Sequence, residues 1–186
     1  MNSNTVLLLV DIQTGLDHPS WGKRNNPDAE SRMGELLQHW RKNQWPVIHV
    51  QHCSTEPQSP LRPDQAGVEF KPATAPESGE TVFQKNVNSA FIGTSLEQTL
   101  KDDGVNQLVV VGLTTDHCVS TTVRMAANKG FDVLLVGDAT ATFDRTGPGG
   151  EYYDADTMHN VNLASLNGEF CSVVSCDSVL HNETTG

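Results

Sequence analysis

Apolar residues along this chain fall into blocks of two kinds. Residues 5–13, 46–52, 107–112, 131–138 and 170–175 are short runs rich in Val, Ile and Leu, and 80–85 is a shorter one ending on Lys85. Continuous runs of that length are the pattern of strands buried on both faces, as in a parallel sheet. Within 46–52, the alternation of His49 and Gln51 with apolar residues predicts one less buried face. Between the runs lie helical patterns. Residues 28–43 set Met33, Leu36, Leu37 and Trp40 on one stripe, with Trp40 in the core, and 94–101 opens with Thr-Ser-Leu-Glu in capping-box order. Residues 119–129 are helix-compatible, and 154–166 carries Met158, Val161, Leu163 and Leu166. Strands alternating with helices predict an α/β fold: a doubly wound, mostly parallel, Rossmann-like sheet of about six strands, helices on both faces, crossovers right-handed, built by a single domain over 1–186.

The joints separate into three long irregular stretches. Residues 15–27 lack any period and predict a loop over the end of the first strand. Residues 53–79 contain five prolines and predict a long excursion of the kind that serves as a lid or binding loop. Residues 140–150 form a Gly/Pro-rich loop, but the glycines at 147–150 do not stand between a strand and a helix, and no GxGxxG occurs. A nucleotide cofactor is therefore not expected.

Composition narrows the partners. The 186 residues are 37% hydrophobic and 19% charged, ordinary for a globular chain, and the net charge of −11 argues against nucleic acid or an anionic membrane surface. No apolar run approaches the ~20 residues of a membrane span. The start has neither a basic region nor an apolar h-region, which predicts a leaderless, cytoplasmic protein. Cys53, Cys118, Cys171 and Cys176 show no zinc-ribbon or CxxC spacing, so reduced thiols are expected, with Cys171 and Cys176 structural.

Candidate chemistry sits at the ends of the strands. Asp11 closes the first run, Lys85 the 80–85 run, and Cys118 follows the polar turn after Gly112. A parallel sheet brings all three to one edge, where open α/β sheets place their sites. An aspartate there can take a thiol proton, a lysine between them keeps the carboxylate ionised, and N–H groups at Thr114 and Cys118 can receive an oxyanion. Asp116 is placed to cap the following helix, with Cys118 in its first turn, where the dipole favours a thiolate.

The segments Val10-Asp11-Ile12-Gln13, Gln84-Lys85 followed by Asn88-Ser89-Ala90-Phe91, and Gly112-Leu113-Thr114-Thr115-Asp116-His117-Cys118-Val119 occur in that order. Together they resemble the cysteine hydrolases of the isochorismatase-like superfamily, which includes nicotinamidases. The resemblance implies an Asp11, Lys85, Cys118 triad, a cis peptide at Leu113–Thr114, and thioester hydrolysis of a small amide or ureido compound. It also implies a homo-oligomer, dimer or tetramer, with a small-molecule substrate and no cofactor. Where nicotinamidases carry a metal-binding Asp-x-His, this chain reads His52-Cys53-Ser54, so no metal is expected. Gln13, Trp21, His52, Phe91, Thr115 and His117 are the candidate pocket residues, and Phe143, Asp144 and Arg145 could reach the same edge or a subunit contact. Vinyl-ether hydrolysis and a metabolite-binding, redox-sensing role are the competing readings.

Overall fold

The computed structural model describes residues 4–181; Met1 to Ser3, on which the expectation of no leader falls, and residues 182–186 lie outside them. The strands are β1 (Thr5–Val10), β2 (Val47–His52), β3 (Thr81–Lys85), β4 (Gln107–Leu113), β5 (Asp132–Ala141), the short pair β6 (Arg145–Thr146) and β7 (Tyr152–Tyr153), and β8 (Ser172–Val174). The helices are α1 (Ala29–Asn43), α2 (Leu96–Asp102), α3 (Ser120–Asn128), α4 (Ala155–Leu166) and α5 (Cys176–His181). Six strands form one sheet in the order β3-β2-β1-β4-β5-β8, every neighbour parallel, while β6 and β7 pair antiparallel on their own. The doubly wound parallel sheet is thus as expected. No helix among the described residues is long and apolar enough to cross a membrane.

β1 shows why its sequence is apolar from Val6 to Val10. Val6, Leu8 and Val10 point into one core with Leu96 and Leu100 of α2 and Val123 and Ala126 of α3. Leu7 and Leu9 point into the other with Met33, Leu36, Leu37 and Trp40 of α1 and Val179 of α5. A period of two against two apolar layers leaves no position for a polar side chain. Trp40 is fully buried and its indole N–H donates to the Thr5 carbonyl at 3.1 Å.

Several local expectations give way to tertiary contacts. His49 and Gln51 are buried rather than half exposed, because the 53–79 excursion folds over them: Gln51 Nε2 donates to its Val68 carbonyl at 3.0 Å, and His49 Nε2 lies 2.9 Å from Glu80, the residue that follows the excursion. The capping box at 94–97 does not form. Thr94 Oγ1 accepts from the Leu96 N–H at 3.3 Å, while Glu97 turns to Lys101 and Lys129, two cations stronger than a lone N–H. On α4 the buried residues are Ala155, His159 and Leu166, and Val161 faces solvent. β5 runs on through Ala141, crossing a bulge between its pairings Val110↔Leu135 and Gly112↔Thr140, so the loop begins later than 140 and holds the β6–β7 hairpin. The short α5 escaped pattern reading because six residues are too few for a period.

The excursion is tied down by charge. Lys71 Nζ donates to Asp17 at 2.5 Å and to Glu30 of α1 at 2.6 Å, and Arg41 of α1 grips Glu80 at 2.7 and 2.8 Å. Burial pushes Glu30 up, but hydrogen bonds and charge from Arg24 and Lys71 outweigh it and hold the carboxyl at about 2. Glu80 is likewise held at about 2: burial opposes this, and Arg41, the Glu77 N–H and His49 prevail.

A carboxylate whose folded value lies below its ordinary one stabilises the fold above that ordinary value and loses the contribution as pH falls through the folded one. Stability in urea is therefore expected to decline between pH about 4.5 and about 2, and Glu30→Gln to be less stable at neutral pH with a shallower decline in that window. A second expectation concerns Gly112, whose φ is +130° and whose added Cβ would lie 2.1 Å from the Val10 carbonyl oxygen. Gly112→Ala combines a disfavoured backbone with a main-chain clash and should cost about 3 kcal/mol or more, read as a lower urea midpoint.

Candidate active site

From β1 the chain winds outward through β2 and β3, and from β4 it winds the other way through β5 and β8. The crevice between the carboxyl ends of β1 and β4 is the switch point, where doubly wound sheets bind ligands. Asp11 is the first residue past β1 and Cys118 lies five residues past β4. Asp11 has φ +53°, a left-handed conformation that aspartate tolerates better than most residues, and its N–H donates to Val50 of β2 at 3.0 Å. Lys85 closes β3 and reaches back over β2, its ammonium donating to Asp11 Oδ2 at 2.5 Å and standing 2.9 Å from His52 Nδ1. Both members of this pair are buried. The other carboxylate oxygen, Asp11 Oδ1, is buried with no hydrogen-bond partner.

Cys118 occupies a single π-type turn, Thr115–Val119, ahead of α3, not the first turn of the α-helix itself. Its Sγ and ligand atoms of Asp11 and His52 all lie within 4.8 Å of one another, and it accepts a hydrogen bond from Asn88 Nδ2 at 3.7 Å. Asn88 stands in one of the motifs that carry the resemblance, but the sequence assigns it no role; the fold brings its amide to the sulfur. The Leu113–Thr114 peptide is cis, and the Thr114 carbonyl accepts the N–H groups of His117 and Val119 at 3.1 and 3.2 Å.

The thiol is not set up as a thiolate. Burial first, then the Asp11 carboxylate, pushes Cys118 up to about 12, with Lys85 offsetting only part. Asp11 is itself raised, burial outweighing the charge of Lys85. The helix-dipole expectation fails because burial beside a carboxylate exceeds what one turn of main chain supplies. Nor does Asp116 cap the helix. It accepts from Thr142 Oγ1 at 2.5 Å and from Arg145 Nε at 2.8 Å, tying the cysteine turn to the segment after β5. Burial opposes ionisation of Asp116, but the Thr142 hydroxyl and the charges of His117 and Arg145 hold it below the usual carboxylate range.

A cleft of about 730 Å³ is lined among others by Trp21, His52, Pro57, Leu61, Val87 and Asn88; His52 and Asn88, which lie against Cys118, connect it to the site, while Cys118 and Asp11 are not on its wall. A hollow of about 620 Å³ adjoins it and reaches Lys85, Cys53 and Arg62. Of the candidate pocket residues, Trp21 and His52 line the cleft, and Gln13, Phe91, Thr115 and His117 do not. Gln13 is fully buried and clamps His52, its Nε2 donating to the His52 carbonyl at 3.0 Å and its Oε1 accepting the His52 N–H at 2.8 Å. Phe91 packs in the core, stacked on Phe131. Thr115 is buried against His159, its Oγ1 2.9 Å from the ring Nδ1. His117 is half exposed near Asp116 and lines neither hollow. Phe143 stacks on Trp21 and so backs the cleft. Cys171 and Cys176 are buried free thiols, both pushed by burial to about 11.

Asp11, His52 and Cys118 are the one grouping among the described residues with three ligand atoms close enough for a metal ion. The Lys85 ammonium already bonds two of them, so a cation would have to displace a buried positive charge.

Residues 5–175 match the isochorismatase domain family. The isochorismatase family protein YrdC of Bacillus subtilis is 42% identical over 182 residues, 98% of this chain and 97% of that protein. Nicotinamidase 3 of Arabidopsis thaliana is 30% identical over 176 residues, 95% of this chain and 76% of that protein. N-carbamoylsarcosine amidase of Arthrobacter is 34% identical over 124 residues, 67% of this chain and 43% of that protein. Among solved structures, a hydrolase of the isochorismatase family from Chromobacterium violaceum superimposes with a TM-score of 0.93 at 47% identity, covering 96% of this chain and 93% of its own. With the fold, the order of motifs and these relatives in agreement, the chain belongs to the isochorismatase family of hydrolases.

Proposed function

We propose that this hydrolase cleaves a C–N bond of a small amide or ureido compound by covalent catalysis on Cys118. The observation that carries the reading is the Asp11 carboxylate: Oδ2 is locked to Lys85, Oδ1 is buried and takes no hydrogen bond from the surrounding scaffold, and the group lies within 4.8 Å of the Cys118 sulfur, with which it interacts. A free carboxylate lone pair next to a protonated nucleophile is the arrangement a general base requires. In the proposed reaction the thiol proton passes to Asp11 as sulfur attacks the carbonyl carbon. N–H groups at Thr114 and Cys118 receive the oxyanion, and Asn88 donates to the sulfur as charge develops there. Collapse of the intermediate breaks the C–N bond, and Asp11 returns the proton to the departing nitrogen. A water deprotonated by Asp11 then hydrolyses the thioester, and the proton returns to sulfur. Lys85 keeps its charge throughout and holds Asp11 ionised between transfers.

The relatives named for nicotinamide and N-carbamoylsarcosine chemistry support the amide class. The cleft supports a small, polar substrate: Ser, Thr, Asn and Gln side chains alternate with Trp21 and prolines along its walls. Vinyl-ether hydrolysis needs no sulfur nucleophile, and the Asp11–Cys118–Asn88 contacts weigh against it. A redox sensor needs an accessible thiolate, against which the raised thiol weighs.

The deciding measurement is ammonia release from a panel of primary amides and ureido compounds. Cys118→Ala and Asp11→Asn are expected to lose at least about 10³-fold in kcat/KM, with an acyl adduct on the wild type seen by intact mass spectrometry. Turnover surviving Cys118→Ala would sink the covalent mechanism. The pH profile follows from the shifts. Asp11 must be ionised and its value is raised, so kcat/KM should fall with acidification at a pH above the ordinary carboxylate value of 3.8. With Cys118 at about 12, no activating thiol ionisation should appear between pH 7 and 10, a range set by the shift; a thiol step near neutrality in alkylation kinetics would contradict it.

A further inference from the structure

We infer that His52 is a positioning residue of this site: its Nδ1 accepts a hydrogen bond from Lys85 and, together with Asp11, fixes where the ammonium stands. The topology requires some such group. Lys85 and His52 are register partners on neighbouring strands, and Asp11 follows the strand beyond. To reach Asp11 the lysine must cross β2, roughly two strand spacings of about 4.8 Å in all, and the side chain it crosses is His52. An ammonium has only protons to give, so at 2.9 Å the imidazole nitrogen must be the acceptor and the ring proton sits on Nε2.

The ring is held to that task. Both main-chain groups of His52 are bound by Gln13, whose Nε2 also donates to the Val68 carbonyl at 2.8 Å, and the imidazole hydrogen-bonds the main chain of Val87. Burial, then the charge of Lys85, holds His52 at about 4, so it stays neutral wherever the enzyme would work. The charged and titratable groups around it are Lys85 from β3, Asp11 beyond β1, Cys118 from the turn after β4, and its chain neighbour Cys53. Without His52 the ammonium would keep a single side-chain acceptor, swing fully onto Asp11, and withdraw the support it lends the sulfur.

Only the turnover readout of this inference rests on the proposed amide hydrolysis. His52→Leu removes the acceptor at similar volume, whereas His52→Asn sets a carboxamide Oδ1 where Nδ1 stands. Alkylation of Cys118 by iodoacetamide at a fixed alkaline pH, read by peptide mass spectrometry, needs no substrate. In His52→Leu that rate, and kcat on any amide turned over, should each fall about tenfold or more, the worth of a hydrogen bond to a charged group. KM should stay within about twofold on the same principle, because the lost bond is to Lys85 and not to substrate. The acid limb of kcat/KM should move downward, because an ammonium held wholly on Asp11 favours its ionised form, and His52→Asn should reverse most of these changes. Wild-type alkylation in His52→Leu, or an equal loss in His52→Asn, would overturn the inference, and a change confined to KM would make His52 a wall of the cleft instead. Circular dichroism checks folding; if His52→Leu is unfolded, His52→Gln takes its place, since its oxygen cannot occupy the Nδ1 position. If the wild type turns over no amide, the amidase reading falls while the alkylation series still decides His52.

Discussion

A carboxylate and an ammonium withdrawn from water together govern the carboxyl end of this sheet. Asp11 and Lys85 are both buried, and burying two charges costs more than their attraction returns unless hydrogen bonds satisfy what remains. Here the lysine finds a second acceptor in His52, but the aspartate keeps one oxygen empty. A stability-driven design would fill that oxygen. Leaving it without a donor from the scaffold, on a carboxylate that lies against Cys118, is a local cost of the kind that clusters at functional sites.

The scaffold around the pair is correspondingly over-determined. Asp11 sits in a left-handed conformation, Gln13 binds both main-chain groups of His52, and Gly112 lets β4 approach Val10 more closely than any side chain allows. These constraints converge on the same ends of β1, β2 and β4, of which β1 and β4 have both faces inside the two apolar cores. The cores supply a rigid platform and the irregular backbone sits only at its rim. The charged ties Lys71–Glu30 and Arg41–Glu80 then fix the 53–79 cover, which forms much of the cleft wall.

Asp11, Lys85 and Cys118 were legible because each follows an apolar run, and in a parallel sheet run ends meet at one edge. Contacts between distant stretches left no local trace. Asp116 has the spacing of a helix cap, yet Arg145 and Thr142, both more than 25 residues on, bind its carboxylate instead. Phe91 and Thr115 lie beside motif residues in the chain but face Phe131 and His159 in space. Burial was the larger blind spot. The polar alternation of His49 and Gln51 reads as an exposed face until the excursion covers it, and the main-chain dipole at Cys118 reads as thiolate-stabilising until desolvation is counted.

A protonated resting thiol has its own logic in the proposed reaction. The proton that leaves sulfur for Asp11 is the one the departing nitrogen needs, so no proton has to enter from solvent during acylation. A resting thiolate that had lost that proton to solvent would leave the nitrogen to depart without it. It would also be open to oxidation whenever the cleft is empty, and Cys53 in the adjoining hollow is likewise raised by burial, so neither cysteine at the cleft stands as a ready thiolate. Lys85 cannot serve as the donor, because surrendering its proton would leave Asp11 a buried charge without a partner. The ion pair thus confines the mobile proton to sulfur, Asp11 and substrate, and the free oxygen on Asp11 is the one place in the buried pair where it can stop.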